Sequence, residues 1–192
     1  SYDRKAETAE LGADAVRTVE RIDATAPKLS APREIYLCHG YCELGATKFS
    51  DTLHDLRSFM DRNPNEVLFL IIGNYVTPAD TEKAFQQAGL VRRLWRYQAD
   101  QPLPTLRRMI KAKRTLFVLT ERGGGEPPWY NRAYERPGGI FQDTPFTFTS
   151  ESKFSCAKNR GPRDAPLFQI NHWITNTSAP SATLARTINS YG

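Results

Sequence analysis

The chain is poor in the residues that usually betray a function. Its 192 residues include three histidines, three cysteines and two methionines. Three cysteines cannot supply two Cys-x-x-Cys pairs, which excludes zinc sites of that type. No run of about 18 or more apolar residues occurs, so no membrane-spanning helix is expected. There is no Gly-x-Gly-x-x-Gly fingerprint and no Walker loop. The run Gly123-Gly124-Gly125 lacks the Lys and Ser/Thr that a phosphate loop needs. Zinc-finger spacing and RNP-like aromatic motifs are also missing, so a nucleic-acid partner is not expected. Ser1 to Glu10 is polar and carries no apolar signal-peptide core. Internal repeats and low-complexity segments are absent.

What is there suits one packed domain, or a piece of a larger one. Hydrophobic residues make up 40% of the chain, the formal net charge is +5 and the pI is about 9.2. The basic residues gather at Arg92-Arg93 and from Arg107 to Arg114. Such a balance favours anionic partners, although solvated helix faces also carry runs of this kind. Cys38 and Cys42 flank Gly40, and in an oxidising compartment they could close a short disulfide loop with Cys156 left apart. The alternative is three reduced thiols.

Hydrophobic periodicity divides the chain into alternating elements. Arg4 to Ile22 has a helical stripe of Leu11, Ala15, Val16, Val19 and Ile22. Glu34 to His39 is a short strand. Phe49 to Asp61 is an amphipathic helix, closed by the turn Asn63-Pro64-Asn65. Val67 to Ile72 is an unbroken apolar run, the mark of a strand covered on both faces of a parallel sheet. Thr77 caps the next helix, Pro78 takes its first position, and Gly89 stops it. Leu103 to Lys113 predicts another helix, and Thr115 to Leu119 another buried strand. Tyr130 to Arg163 reads as irregular. Leu167 to His172 is a fourth strand, and Ser181 to Asn189 a final helix.

Buried strands alternating with amphipathic helices predict an α/β fold with a parallel sheet. In such folds ligands bind at the carboxyl ends of the strands. Those ends carry His39; Gly73, Asn74 and Tyr75; Thr120, Glu121 and Arg122; and Asn171 and His172. Histidine moves protons near neutral pH, and arginine grips phosphate through paired hydrogen bonds. The remaining histidine, His54, falls in mid-helix and is expected to be exposed.

The segment from Ile35 to Tyr75 resembles the X-region of phosphatidylinositol-specific phospholipase C-like phosphodiesterases. The likeness rests on Leu37-Cys38-His39-Gly40, on Leu53 to Phe59, on Asn63-Pro64-Asn65-Glu66, and on the strand Val67 to Ile72. It continues through Pro127 to Tyr130, Phe154 to Cys156 and Asn171 to Trp173, and is nearest the secreted, Cys-containing microbial and fungal branch. The resemblance implies an α/β fold of the TIM-type (β/α) barrel, incomplete in this chain, with the first strands and the last strand outside it. It makes 1–192 a single domain, with 1–33 a helical lead-in and 34–192 the core.

The resemblance also implies a phosphoric diester hydrolase acting on a phospholipid or phosphoinositide-like headgroup, secreted and peripheral to a membrane surface. His39 would be catalytic, as general acid on the leaving alkoxide. Tyr75, Glu121, Arg122, Asn171 and His172 would form the substrate pocket. The family's base is a second histidine, on an upstream motif. No histidine precedes His39 here, so poor turnover is expected of this chain alone. Calcium-dependent relatives carry an acidic residue where this chain has Gly73, so no metal or other cofactor is expected. Two alternatives stand beside this reading: a barrel that binds a headgroup or partner without cleaving it, and a metal-dependent glycerophosphodiester or sphingomyelin phosphodiesterase.

Overall fold

The computed structural model describes residues 13–25, 34–38, 45–73, 75–98, 101–174 and 182–190. It has two compact units. The first comprises Ser1–Phe49, Phe146–Ser155 and Asn171–Gly192; the second comprises Ser50–Pro145 and Cys156–Ile170. Among the described residues no helix is long and apolar enough to cross a membrane.

In the first unit, helix α1 spans Ala13–Thr25. The helix predicted from Arg4 is described from Ala13 onward, and residues 4–12 lie outside the described residues. The predicted strand at 34–39 is reduced to β1, Tyr36–Leu37. It pairs antiparallel with β2, Thr47–Lys48, instead of joining a parallel sheet. A polar tie at its edge favours this pairing. Lys48 Nζ lies 2.8 Å from a Glu34 carboxylate that also accepts from the Tyr36 hydroxyl. Lys48 and then Tyr36 hold the Glu34 carboxyl below its ordinary pKa. Helix α5 is Ala182–Ile188, close to its predicted span.

The second unit holds the parallel sheet. Helix α2, Phe49–Arg62, starts on the last residue of the first unit and runs into the second. Leu53 and Met60 are its fully buried residues there. Strand β3, Leu68–Ile72, pairs in parallel with β4, Leu116–Thr120, which pairs in parallel with β5, Tyr130–Arg132. All five residues of β4 are buried, as its apolar run predicts. Strand β3 departs from expectation, because Phe69 and Ile71 leave one face half open.

Between β3 and β4 come helices α3, Pro78–Gln87, and α4, Leu106–Lys111. Both start on a threonine cap. Thr77 accepts from Asp80 N, and Thr105 accepts from Arg108 N. Gly89, at φ +69°, ends the turn after α3 as predicted.

Two further strands lie in the stretch that reads as irregular: β5, and β6, Phe141–Asp143. Strand β6 pairs in parallel with β7, Leu167–Gln169. Backbone bonds link β5 to β6, with Phe141 N donating to Ala133 O at 2.8 Å. At three residues each, β5 and β6 are too short to show a period, and their polar Asn131 and Gln142 break any apolar run. The Gly123–Gly125 run has positive φ throughout. It is a left-handed turn between β4 and β5, and a side chain on Gly124 (φ +98°) would fall 2.7 Å from Thr120 Cγ2 and 2.9 Å from Tyr130 O. Among the described residues the sheets are small and none closes; the architecture is mixed α/β.

Candidate active site

Among the described residues, four of the five parallel strands end in a polar residue or deliver one just beyond their ends. Strand β4 is followed by Glu121, β5 by Ala133 and Tyr134, β6 ends on Asp143 and β7 on Gln169. Residues before a strand and after it lie on opposite rims, so these side chains gather on one rim of the second unit.

Arg160 organises them. Its Nε donates to Asp143 Oδ2 at 2.9 Å, its backbone N–H donates to Asp143 Oδ1 at 2.7 Å, and Nη2 lies 2.7 Å from Oδ2. The guanidinium stands 4.0 Å above the Tyr134 ring, and Nη1 reaches Glu121 Oε1 at 3.5 Å. Tyr134 in turn donates its hydroxyl to Gln169 Oε1 at 2.8 Å.

The Asp143 side chain has no exposed surface, so its charge needs this fixed partner. Burial alone would lower the Arg160 pKa, but the bonds to Asp143 and the surrounding negative charge outweigh it and hold the guanidinium above its ordinary value. Burial is also the main cause of a raised Tyr134 pKa, helped by Asp143 and Glu121 and opposed chiefly by Arg160.

Chemically, Asp143 is committed to Arg160, whereas Glu121 is half open and keeps an oxygen to spare. Its Oε2 faces the end of β3, 3.8 Å from where a side chain on Gly73 would begin. A carboxylate so placed can accept from a substrate hydroxyl. The pair of carboxylates does not suit a divalent cation. Arg160 already sits between them and would repel it, and calcium wants several free oxygens. Among the described residues no group of three or more His, Cys, Asp or Glu side chains comes together as a metal site.

The residues expected in the site divide between the units. Glu121, Arg122 and Tyr75 belong to the second. Glu121 is part of the rim cluster. The Arg122 backbone is tied on both sides to Thr120 Oγ1. Tyr75 is 88% exposed. Asn171 and His172 belong to the first unit, where Asn171 is buried and the exposed His172 packs its ring 5.1 Å from Phe154. His39 lies outside the described residues, as do Asn74 and Cys42. Cys38 is disulfide-bonded, and Cys156 is a free, exposed thiol. His54 is exposed, as predicted.

Reading the sequence missed Asp143, Arg160, Tyr134 and Gln169. Only the polar ends of the short runs Phe141-Gln142-Asp143 and Leu167-Phe168-Gln169 hint at two of them.

With this geometry in view, comparison with known families is decisive at one level. The family model PI-PLC X 1 matches residues 19–190, and the chain belongs to that phosphatidylinositol-specific phospholipase C X-domain family. No curated protein and no solved structure matches the chain significantly.

Proposed function

We propose that the chain is the catalytic part of a phospholipase C-type phosphodiesterase built on a (β/α) barrel, acting on a phospholipid headgroup. Membership of the X-domain family across residues 19–190 is the observation that carries this reading. In the reaction, an internal hydroxyl or water attacks phosphorus and the bond from phosphorus to the leaving alkoxide breaks. His39 gives that alkoxide its proton. The nucleophile's proton passes to a base, which in the family is a second histidine. Glu121 accepts from a headgroup hydroxyl through its spare oxygen, while Arg160, locked by Asp143, fixes the direction of that carboxylate. Arg122 supplies positive charge for the phosphate, and the family resemblance assigns headgroup contact to Tyr75, Asn171 and His172.

The test is a phosphodiesterase assay with phosphatidylinositol, on this chain and on any longer natural protein that contains it. General acid catalysis contributes about 10² to 10⁴-fold, so His39→Ala should lower turnover by that factor. Turnover unaffected by His39→Ala would overturn the assignment. The alternative outcome is headgroup binding without cleavage. It predicts saturable binding of inositol phosphate with no product from either protein.

A further inference from the structure

The amino-terminal rim of the second unit carries charge of one sign. Between positions 92 and 114 the sequence has eight Lys or Arg and one acid, Asp100. Two of the eight are engaged, Arg93 with Asp61 and Arg108 over the Trp95 ring. Arg92, Arg96, Arg107, Lys111, Lys113 and Arg114 are exposed and form no ion pair among the described residues. Backbone pairing sets them together. Arg114 comes two residues before β4. Leu94 bridges in parallel to Leu116, and Trp95 N donates to Leu116 O at 2.8 Å, which lays residues 92–96 against the start of that strand.

Beside them lies an apolar groove of about 360 Å³, lined by Phe69, Leu103, Pro104, Leu106, Phe141 and Leu167. Phe69, Phe141 and Leu167 stand at or next to the first residues of β3, β6 and β7, so the groove opens at the same rim. Two of its residues are open to solvent, Leu106 at 60% and Phe69 at 42%. Phe69 does not project. One face of its ring is stacked on Phe117, with 4.9 Å between centroids, and Phe141 meets it edge-on at 6.4 Å, so it forms a wall of the recess. None of the six lining side chains has a hydrogen-bonding group. Arg107, which follows Leu106, and Lys111 are four apart on α4 and therefore neighbours on its surface.

We propose that this rim docks an acidic protein segment, a short stretch of Asp and Glu whose one or two large apolar side chains enter the groove. Charge complementarity and the groove's lining select this partner together. Six cations without ion-pair partners among the described residues fit a polyanion. A nucleobase would also find positive charge here, and Phe69 offers it a ring. Its edges carry donors and acceptors, however, and the groove would bury them against carbon alone. An apolar side chain enters without that cost. A recess also suits a projecting side chain better than a flat bilayer does. Apolar anchors seated in a groove and flanked by opposite charge give a short segment both affinity and register. Strand β4 has five residues, so this rim and the Glu121–Arg160 rim are about 16 Å apart at about 3.3 Å per residue. Docking here does not depend on the phosphodiesterase reading.

Fluorescence anisotropy tests the proposal, with a labelled synthetic peptide of glutamates interrupted by two leucines four residues apart. A second peptide has serine in place of both leucines. The first should bind saturably and more weakly as salt is raised. The serine peptide should bind about tenfold more weakly or worse, having lost its apolar anchors. Charge reversal by Arg107→Glu/Lys111→Glu should weaken binding of the leucine peptide on the order of tenfold. Leu106→Ser should weaken it by about fivefold while the salt dependence persists. Both variants alter exposed side chains, and unchanged thermal melting would confirm that the fold is kept. Equal binding of the two peptides would overturn the proposal, as would no binding of either or an unchanged affinity in the charge-reversed protein. Tighter binding to polyuridylate than to the leucine peptide would overturn it in favour of RNA, and tighter binding to phosphatidylserine vesicles in favour of a membrane.

Discussion

Arg160 holds the fully buried carboxylate of Asp143 with both its backbone N–H, at 2.7 Å, and its guanidinium, at 2.7 and 2.9 Å. One residue thus satisfies both carboxylate oxygens and, by stacking on Tyr134, joins the ends of β5 and β6 on the candidate rim. Removing one partner of a buried ion pair leaves an uncompensated charge, at a cost of about 3–5 kcal/mol. Because the Arg160 side chain is 34% exposed, Arg160→Ala should fall near the lower end of that range. The double variant Asp143→Leu/Arg160→Met should cost clearly less than the two single changes added together. Urea denaturation of the four proteins measures this, and simple additivity would show that the pair is not coupled.

Gly161 is what lets Arg160 come so close. It has φ +94°, and a side chain there would collide with Phe141 O and lie 2.9 Å from Gln142 Cα. These are backbone atoms of β6 and cannot swing away. Gly161→Ala should therefore destabilise the second unit by more than the roughly 1 kcal/mol of a simple glycine effect, and should separate Arg160 from Asp143. In an Asp143→Asn background the added loss from Arg160→Ala should then shrink. A Gly161→Ala protein with wild-type urea midpoint would contradict the geometry.

How far the sequence could be read follows from what each feature depends on. Helices α2 and α3 and strands β3 and β4 were legible because period, caps and apolar runs are local. Thr77, Pro78 and Gly89 marked α3 at both ends. The X-region likeness was legible for the same reason, being a set of ordered short pieces. Strands β5 and β6 were not, since three residues carry no measurable period and their buried Asn131 and Gln142 look polar. The rim cluster was hidden too. Glu121 showed itself by following an apolar strand, but Arg160 reaches it across 39 positions and Asp143 across 17, pairings that only the fold creates.

The cap on α3 offers a local test. Thr77 Oγ1 accepts from Asp80 N at 3.1 Å and donates to Asp80 Oδ2 at 2.6 Å, so one hydroxyl serves both a backbone donor and the acid beside it. Thr77→Ala should cost about 1 kcal/mol and Thr77→Ser much less, whereas Thr77→Asp would lose the proton that Asp80 accepts and bring two carboxylates together. Urea midpoints with unchanged slopes would report this. A loss with Thr77→Ser as large as with Thr77→Ala would point to the lost methyl group instead of the cap.

Tyr134 gives the rim a dependence on alkaline pH whose sign is fixed. Its pKa in the folded protein is raised above 10.0, chiefly by burial and then by Asp143 and Glu121 against the opposing charge of Arg160. A raised folded pKa means that the folded state keeps the proton longer than the unfolded chain does. The resulting stability is fully present below about pH 10, the ordinary tyrosine value, and is lost as pH rises through the higher folded pKa. Tyr134→Phe abolishes this titration and also the 2.8 Å bond to Gln169, which is worth about 1 kcal/mol. At pH 8 the variant should therefore be the less stable protein. Above pH 10 the wild type alone loses the Tyr134 contribution, so the gap between their urea midpoints should narrow. A gap that widened instead would mean that Arg160 stabilises the tyrosinate more than burial opposes it.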